Sequence, residues 1–190
     1  MMREQDVMSL FEERRALLKG HFKLSSGLHS GRYLQSALVL QYPDVAERLA
    51  RELAARFKSE KIDFVIGPAL GGVVFSYEMA RVFNARSLFT ERENGAMILR
   101  RGFTIASGER CLAVEDVVTT GGSLKEVIAL AKNSGATVIG AASLVDRSGG
   151  TADFGVPFAA LATVTVETYP QDACPLCKEG LPVTKPGSRK

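Results

Sequence analysis

Apolar and polar positions along the chain follow two different spacings. Over residues 42–58, apolar side chains recur at every fourth position, at Val45, Leu49, Leu53 and Phe57. This spacing is typical of an amphipathic helix, whereas short and almost uninterrupted apolar runs indicate buried strands. In chain order, the pattern predicts strand 62–66, a helix that begins at Gly71-Gly72 and runs to about 83, short strand 86–89, strand 111–114, helix 123–134, strand 138–145 and strand 158–166.

The alternation of strands and helices predicts the fold class. Strand–helix–strand units form a parallel sheet with helices on its faces, so we expect an α/β fold. Ligands bind such sheets at the carboxyl ends of the strands. Three loops, 67–72, 115–123 and 146–151, follow predicted strands and are rich in Gly, Thr, Ser or acidic residues. These loops are the first candidates for a binding site.

Both ends of the chain depart from this alternation. A helix is predicted at about 7–18, and the segment that follows it is dense in Gly, Ser and His. The last twenty residues do not continue the strand–helix pattern either. We therefore expect a single domain with an α/β core of about 42–168 and a small cap made from about 1–41 and 169–190.

Composition and charge narrow the class of protein. Of the 190 residues, 46% are hydrophobic and 24% are charged, which is typical of a globular protein with its own core. The net charge of +3 is too small to indicate a nucleic-acid partner or binding to an anionic membrane. No apolar run has the length of a membrane span, and the N-terminus lacks the apolar core of a signal peptide. The odd number of cysteines, three, favours a reducing, cytoplasmic compartment.

The most specific chemistry lies in loop 115–123. An apolar strand leads to two adjacent carboxylates, Glu115 and Asp116, and a Thr-Thr-Gly-Gly-Ser sequence then leads into a helix. Glycines allow a tight turn that exposes backbone N–H groups, and a helix N-terminus adds partial positive charge, so this loop suits a phosphate. It lacks the Gly-Lys-Ser/Thr ending of a Walker loop. The acid pair suits hydroxyl groups or a metal further along the same ligand, which favours a sugar phosphate over an ordinary capped strand–turn–helix.

This motif resembles the phosphoribosyl pyrophosphate (PRPP) binding motif of type I phosphoribosyltransferases. Segments 20–35, 66–81, 89–103 and 144–150 are also similar, in sequence and in order, to the orotate phosphoribosyltransferases. The resemblance implies a type I phosphoribosyltransferase-like parallel sheet flanked by helices, with a hood formed by the two chain ends. It also implies transfer of the phosphoribosyl group from PRPP to orotate in pyrimidine biosynthesis, by a homodimer in the cytoplasm.

By this resemblance, the acid pair and the loop after it bind PRPP. Glu115 and Asp116 are expected to hold the ribose hydroxyls and to act as catalytic residues. The Mg²⁺ cofactor would be held mainly by PRPP, near the same two carboxylates. The candidate PRPP-binding residues are Glu115, Asp116, Val117, Val118, Thr119, Thr120, Gly121, Gly122, Ser123, Gly71 and Gly72.

The resemblance also implies an orotate site, made by Thr119, Arg147 and Ser25. A guanidinium group can bind a carboxylate or a pyrimidine edge through two hydrogen bonds, which fits Arg147. Without the resemblance, Arg147 would be interpreted as a solvated loop residue. Ser25 and Ser26, with Tyr33, lie where the cap would close over the base, although loop and turn chemistry is the better explanation of them as bare residues.

Residues 91–101 resemble a mobile catalytic loop that reaches into the neighbouring subunit's site. Arg92 is the candidate in this loop for neutralising the leaving pyrophosphate, although a charged loop is often simply solvated. Many family members have Lys where this chain has Ser25 and Gly71. The Gly71-Gly72 pair could bring backbone N–H groups to the pyrophosphate, or it could serve close packing of a helix on a strand.

Cys174 and Cys177 form a Cys-x-x-Cys sequence near the end of the chain. Such a pair can be half of a zinc site or a redox pair. A zinc site with four ligands would need two more, and the remaining candidates are His21, His29 and Cys111. The simplest interpretation is a structural turn in the cap.

Two other functions are compatible with this fold. A PRPP-binding regulatory protein would use the same loop, and another phosphoribosyltransferase would use a different base. The Arg-containing loop at 91–101 and the balanced charge favour the enzyme over the regulator.

Overall fold

Eight strands and six helices form the part of the chain described by the computed structural model, residues 2–24 and 26–186. The strands are β1 (Leu17–Lys23), β2 (His29–Leu34), β3 (Phe64–Pro68), β4 (Arg86–Glu93), β5 (Ala96–Leu99), β6 (Arg110–Val118), β7 (Thr137–Asp146) and β8 (Phe158–Thr163). The helices are α1 (Glu4–Glu13), α2 (Ala37–Leu40), α3 (Pro43–Ala54), α4 (Gly71–Phe83), α5 (Gly122–Asn133) and α6 (Pro175–Lys178), and 3₁₀ turns occupy Ala55–Phe57 and Gln171–Ala173.

Six of the strands form one sheet, in the order β5-β4-β3-β6-β7-β8. The pairs β3–β4, β3–β6, β6–β7 and β7–β8 are parallel, and only β5 runs antiparallel, to β4. Val118 of β6 lies opposite Asp146 of β7, so these two strands end at the same level. The predicted α/β fold with a parallel sheet is confirmed.

Strand β3 shows how the sheet divides the core into two layers. Its side chains alternate, as strand geometry requires. Val65 packs into the layer that contains residues of α3 and α4, whereas Phe64 and Ile66 pack with residues of α5. In the described part of the chain, no helix is both long enough and apolar enough to cross a membrane.

The helix predicted at about 7–18 extends too far. Helix α1 ends at Glu13, and Arg15 has a positive φ of 54°, which an α-helix cannot continue through. The chain then enters β1 at Leu17, which pairs with Leu34 of β2. The two leucines lie far apart in sequence, so local spacing gave no sign of this pairing.

Two predicted strands are longer in the structure. Strand β6 runs past residue 114 to Val118, so Glu115 and Asp116 lie inside it rather than after it. Strand β4 runs to Glu93 and forms an antiparallel hairpin with β5. Much of the segment that resembles a mobile loop, residues 91–101, is therefore a hairpin.

The hairpin β1–β2 stands apart from the main sheet and joins the chain end. Phe22 and Thr184 form one isolated bridge, and His29 and Tyr169 form another. The backbone N–H of Lys23 donates to the carbonyl of Thr184 over 2.8 Å. The predicted cap therefore contains segments from both ends of the chain, although α1 packs its buried Val7 into the main core.

Candidate active site

A cavity of about 520 Å³ lies at the carboxyl edge of the sheet. Residues 68–72 after β3, the loop after β6, and Arg147 after β7 line it. The hairpin β1–β2 and Lys185 near the chain end line it as well. Residues of the three loops predicted from the sequence therefore line one cavity, and residues of the cap line it as well.

Glu115 and Asp116 both line this cavity. The pairing of Glu115 with Ser143 of β7 fixes the backbone that presents the two carboxylates. Ser36 Oγ donates a hydrogen bond to Asp116 Oδ2. Burial raises the pKa of Asp116, and the hydrogen bond from Ser36 opposes that shift because it favours the ionised form. The acid pair thus lies at the bottom of a site where it can accept hydrogen bonds from hydroxyl groups.

The loop at residues 119–123 turns directly into α5. Gly121 has a φ of 78°, and a Cβ there would lie 2.8 Å from the Phe154 ring. Both the backbone conformation and the close ring therefore favour glycine at this position. Helix α5 begins at Gly122, and the Lys125 N–H donates to the carbonyl of Gly121 over 2.9 Å. A helix N-terminus concentrates N–H donors and partial positive charge, so an anion is favoured here.

Glycines in β3 and at the start of α4 allow a close approach of α4 to β6. A Cβ on Gly67 would lie 2.8 Å from the carbonyl oxygen of Gly72 and 2.9 Å from that of Val114. A Cβ on Gly71 would collide with the carboxylate of Asp116. Gly71 and Gly72 also line the cavity, so close packing and exposure to a ligand occur together. A glycine at position 71 therefore leaves space for the Asp116 carboxylate.

A tight loop after β7 positions Arg147. Asp146 is buried, and its carboxylate accepts hydrogen bonds from the N–H groups of Ser148 (2.8 Å) and Gly150 (3.0 Å). The Arg147 N–H donates to the carbonyl of Val118 over 2.7 Å, which ties this loop to the end of β6.

The Arg147 side chain lines the cavity, and its buried Nε has no hydrogen-bond partner within the described residues. Burial lowers its pKa, and the nearby Tyr33 opposes that shift. A half-buried cation with an unused donor is suited to bind an anionic group in the cavity.

Comparison with known proteins agrees with this geometry. The family model for the phosphoribosyl transferase domain matches residues 39–154. Orotate phosphoribosyltransferases of Caldanaerobacter subterraneus subsp. tengcongensis and Pelotomaculum thermopropionicum are 55% and 56% identical to the chain over 189 residues, which covers 100% of each chain. The chain belongs to the orotate phosphoribosyltransferase family.

A solved structure of the same family has a similar fold. The crystal structure of orotate phosphoribosyltransferase from Aeropyrum pernix superposes with a TM-score of 0.69 and 26% sequence identity, over 83% of this chain and 93% of that chain. The type I phosphoribosyltransferase-like sheet is therefore a shared feature, and the differences are expected in loops and chain ends.

The hairpin that resembles this family's catalytic loop is held by ion pairs of its own chain. Arg92 Nη2 lies 2.7 Å from Glu126 Oε2 of α5, and Glu126 lines the cavity. Arg101 pairs with Glu91 over 2.7 Å. Arg92 itself does not line the cavity, so it would have to leave Glu126 to reach a ligand.

The remaining candidates differ in position. Thr119, Thr120, Gly122 and Ser123 line the cavity, as does Val117. Val118 does not, because its side chain is fully buried in the core layer under α5. Ser25 lies outside the described residues.

Sequence reasoning missed four charged or hydroxyl-bearing residues that line the cavity. These are Lys23, Ser36, Glu126 and Lys185. Lys23 was the most accessible to prediction, because it lies in the Gly-, Ser- and His-rich segment that resembles the family. No sequence pattern indicated Lys185, because it is the pairing of Thr184 with the hairpin that brings the chain end to the site.

Proposed function

We propose that this chain transfers the 5-phosphoribosyl group of PRPP to orotate and forms orotidine 5′-monophosphate and pyrophosphate. One observation carries the proposal. In a single cavity, an acid pair and a glycine-rich helix N-terminus share the space with a half-buried arginine, and these are the groups that a sugar phosphate and an anionic base require. Membership of the family supports the same reaction.

Each group has a role that its chemistry suits. The N–H groups and hydroxyls of residues 119–123 bind the 5′-phosphate at the start of α5. Glu115 and Asp116 accept hydrogen bonds from the ribose hydroxyls, and their negative charge stabilises the positive charge that develops on the sugar. Arg147 binds the carboxylate or the pyrimidine edge of orotate, with Thr119 beside it.

The residues of the site fit a Mg²⁺ ion that arrives mainly with PRPP. Mg²⁺ prefers oxygen ligands and retains several waters, so two carboxylates next to a diphosphate are suitable. When bound, the ion would neutralise charge on the pyrophosphate. Glu115 and Asp116 would orient it through hydrogen-bonded water or direct contact, and Gly71-Gly72 would add backbone N–H donors.

The loop at 91–101 is proposed to act in a homodimer, on the site of the neighbouring chain. Arg92 is the residue proposed to neutralise the leaving pyrophosphate. A mixed dimer of one Arg92→Ala chain and one Asp116→Asn chain tests this, because one of its two sites would have a complete set of residues. Partial recovery of activity is expected. A purified mixed dimer that stays as inactive as its parents would exclude the shared site.

We further propose that the enzyme works in the cytoplasm, in de novo pyrimidine biosynthesis, as one domain with the core and cap bounds predicted above. The free thiols of Cys111, Cys174 and Cys177 are compatible with a reducing compartment. Cell fractionation with a cytoplasmic marker tests the location.

A spectrophotometric assay tests the reaction itself. Purified protein is mixed with orotate, PRPP and Mg²⁺, and the loss of orotate absorbance is followed, with a control lacking Mg²⁺. We expect turnover that depends on all three. No turnover, with PRPP still bound in calorimetry, would favour a regulator or a different base, and a panel of purine bases and uracil would distinguish these two.

A further inference from the structure

Four side chains with metal-binding atoms meet in the cap, outside the active site. His21 lies in β1 and His29 in β2, while Cys174 and Cys177 flank the first residues of α6. One ligand atom from each lies within 4.8 Å of all the others. His21, His29 and Cys174 are buried, and Cys177 is partly buried. The histidines and cysteines are separated by 148 residues or more along the chain at their contacts, so the fold has brought them together.

Three nitrogen–sulfur distances in the cluster are close to those of a tetrahedral zinc site. With Zn–N bonds of about 2.0–2.1 Å and Zn–S bonds of about 2.3 Å, the nitrogen and sulfur ligands of one ion lie about 3.5 Å apart. Cys174 Sγ lies 3.6 Å from His21 Nε2, and Cys177 Sγ lies 3.7 Å from the same atom. Cys177 Sγ lies 3.3 Å from His29 Nδ1.

The hydrogen bond of His21 orients its free nitrogen into the cluster. Its Nδ1 lies 2.8 Å from the carbonyl oxygen of Leu181, which can only accept, so Nδ1 carries the proton. Nε2 is then left as a lone pair beside both cysteines. Zinc-bound histidines typically donate their second nitrogen to a carbonyl in this way, which fixes the ring and its tautomer.

The contact between the inward-facing nitrogens of His29 and His21 favours a cation between them. His29 Nδ1 lies 2.8 Å from His21 Nε2, and its buried Nε2 has no hydrogen-bond partner within the described residues. If Nδ1 of the neutral ring carries the proton, Nε2 is a buried lone pair without a donor. If His29 Nε2 carries the proton instead, the lone pairs of His29 Nδ1 and His21 Nε2 face each other. An ion that accepts both inward-facing nitrogens removes the repulsion between them; the proton then lies on His29 Nε2, which still has no acceptor within the described residues.

We propose that His21, His29, Cys174 and Cys177 bind one Zn²⁺ ion. Two thiolates and two imidazoles favour zinc over Mg²⁺ or Ca²⁺, which prefer oxygen ligands. Because all four positions are filled by protein, the ion is structural and leaves no place for a substrate.

The site would link the two ends of the chain at the cap. The hairpin that carries both histidines also carries Lys23 and Tyr33 to the active-site cavity, and the segment after the cysteines carries Lys185 there. Since β1–β2 pairs with the rest of the protein only through isolated bridges in the described structure, an ion joining it to α6 would hold the cap in place.

Metal analysis of the full-length protein, purified without a metal-affinity tag, tests the proposal. We expect about one zinc per chain, or tight uptake of one Zn²⁺ by protein first treated with chelator and thiol reductant. Replacement by Co²⁺ should give the visible absorption of a tetrahedral ion and a thiolate charge-transfer band. The Cys177→Ser and His29→Asn variants should lose most of the bound zinc and melt at lower temperature.

Cys111→Ala is the matched control, because Cys111 is a buried free thiol away from the cluster, in strand β6. It should keep the full zinc content. Wild-type protein with reduced thiols that neither contains nor takes up zinc would overturn the proposal, and this result does not depend on any variant folding. A metal-free wild type that is two mass units lighter would also overturn it, in favour of a disulfide between Cys174 and Cys177. Equal zinc in the wild type and in folded Cys177→Ser and His29→Asn would place the metal elsewhere.

Discussion

The two sides of the cavity are built in different ways. The side proposed to bind PRPP comes from one continuous stretch, strand β6 with the loop 119–123 and the start of α5, and its strand is paired with β7 up to Val118. The cap side comes from the hairpin β1–β2, Ser36 and Lys185, which belong to opposite ends of the chain. Isolated bridges such as that between Phe22 and Thr184 hold those ends together.

This difference predicts that the two sides of the cavity contribute to different steps of the reaction. A phosphate can be bound by backbone groups that a sheet and a helix hold rigidly, so the PRPP side needs little side-chain adjustment. A cap whose strands pair with the chain end only by isolated bridges in the described residues is expected to open more readily than the paired strand β6, which suits the entry of a base and the exit of a nucleotide. Changes on the PRPP side should therefore affect turnover most, and changes at Arg147 or on the cap side should affect base binding and pH dependence.

The largest effect is expected from Asp116→Asn. Removing the charge that faces the developing cationic sugar should lower kcat on the order of 100-fold, while the fold is retained. Steady-state kinetics and circular dichroism provide the measurement, and Asp44→Asn on the exposed start of α3 is the control. An unchanged kcat would remove Asp116 from the proposed role.

The same variant should not lose stability at neutral pH. Burial raises the pKa of Asp116 in the folded protein, so the unfolded chain loses this proton first as pH rises. Ionised Asp116 therefore lowers stability above the folded-state pKa, and the effect disappears below the ordinary aspartate pKa of about 3.9. Melting curves should show Asp116→Asn at least as stable as the wild type at pH 7, with the gap closing toward pH 4.

Arg147→Ala should act chiefly on the base. Loss of hydrogen bonds to a charged group costs about 1.5–3 kcal/mol, so the KM for orotate should rise roughly 10- to 100-fold. The KM for PRPP should change far less, because the phosphate loop is built by another segment. Arg56→Ala, an exposed arginine in the 3₁₀ turn after α3, is the control. Equal increases in both KM values would move Arg147 out of the base site.

A comparison of Gly121→Ala with Gly108→Ala distinguishes the effect of backbone strain from the effect of a displaced loop. Both glycines have positive φ, 78° and 83°, but a Cβ on Gly108 would meet nothing within 4 Å, whereas one on Gly121 would strike Phe154. Each change should cost roughly 1–2 kcal/mol of stability from strain alone. Only Gly121→Ala should also lower kcat/KM for PRPP, on the order of tenfold. Similar activity in both variants would show that Phe154 yields without moving the loop.

The smallest effect is expected from Ser36→Ala, which breaks a contact between the cap segment and the acid pair. The hydrogen bond from Ser36 lowers the pKa of Asp116, so its loss should raise that pKa further. The acidic limb of the kcat/KM profile should shift to higher pH, with little change on the alkaline side. Ser134→Ala, whose hydroxyl donates to Leu130 at the end of α5, should leave the profile in place. A profile unmoved in Ser36→Ala would show that the contact does not control Asp116.

Prediction from the sequence worked best where the signal is local. The helix at residues 71–83 matches α4, and the strand–loop–helix around residues 111–134 matches β6 and α5 apart from the strand's length. Hydrophobic spacing identified these elements because each one buries a face against the sheet. The residue types of the loop at 119–123 indicated a phosphate without any tertiary information.

The hairpin β1–β2 was missed for a physical reason. Leu17 is spaced from α1 as a helical residue would be, and only its antiparallel partner, Leu34, makes it a strand. The four-ligand cluster illustrates the same limit. Cys174 and Cys177 indicated half of a zinc site, but the sequence could not choose among His21, His29 and Cys111 for the other half, and the fold places the two histidines beside the cysteines.

The sequence by itself determined the α/β alternation and indicated the loop proposed to bind PRPP, because hydrophobic period, glycine positions and adjacent acids act over a few residues. The tertiary structure decided which distant side chains complete the cavity, among them Ser36 and Lys185, and which ones meet beneath the cap. Those contacts depend on how the two chain ends pack, and packing is a property of the whole fold rather than of any short segment.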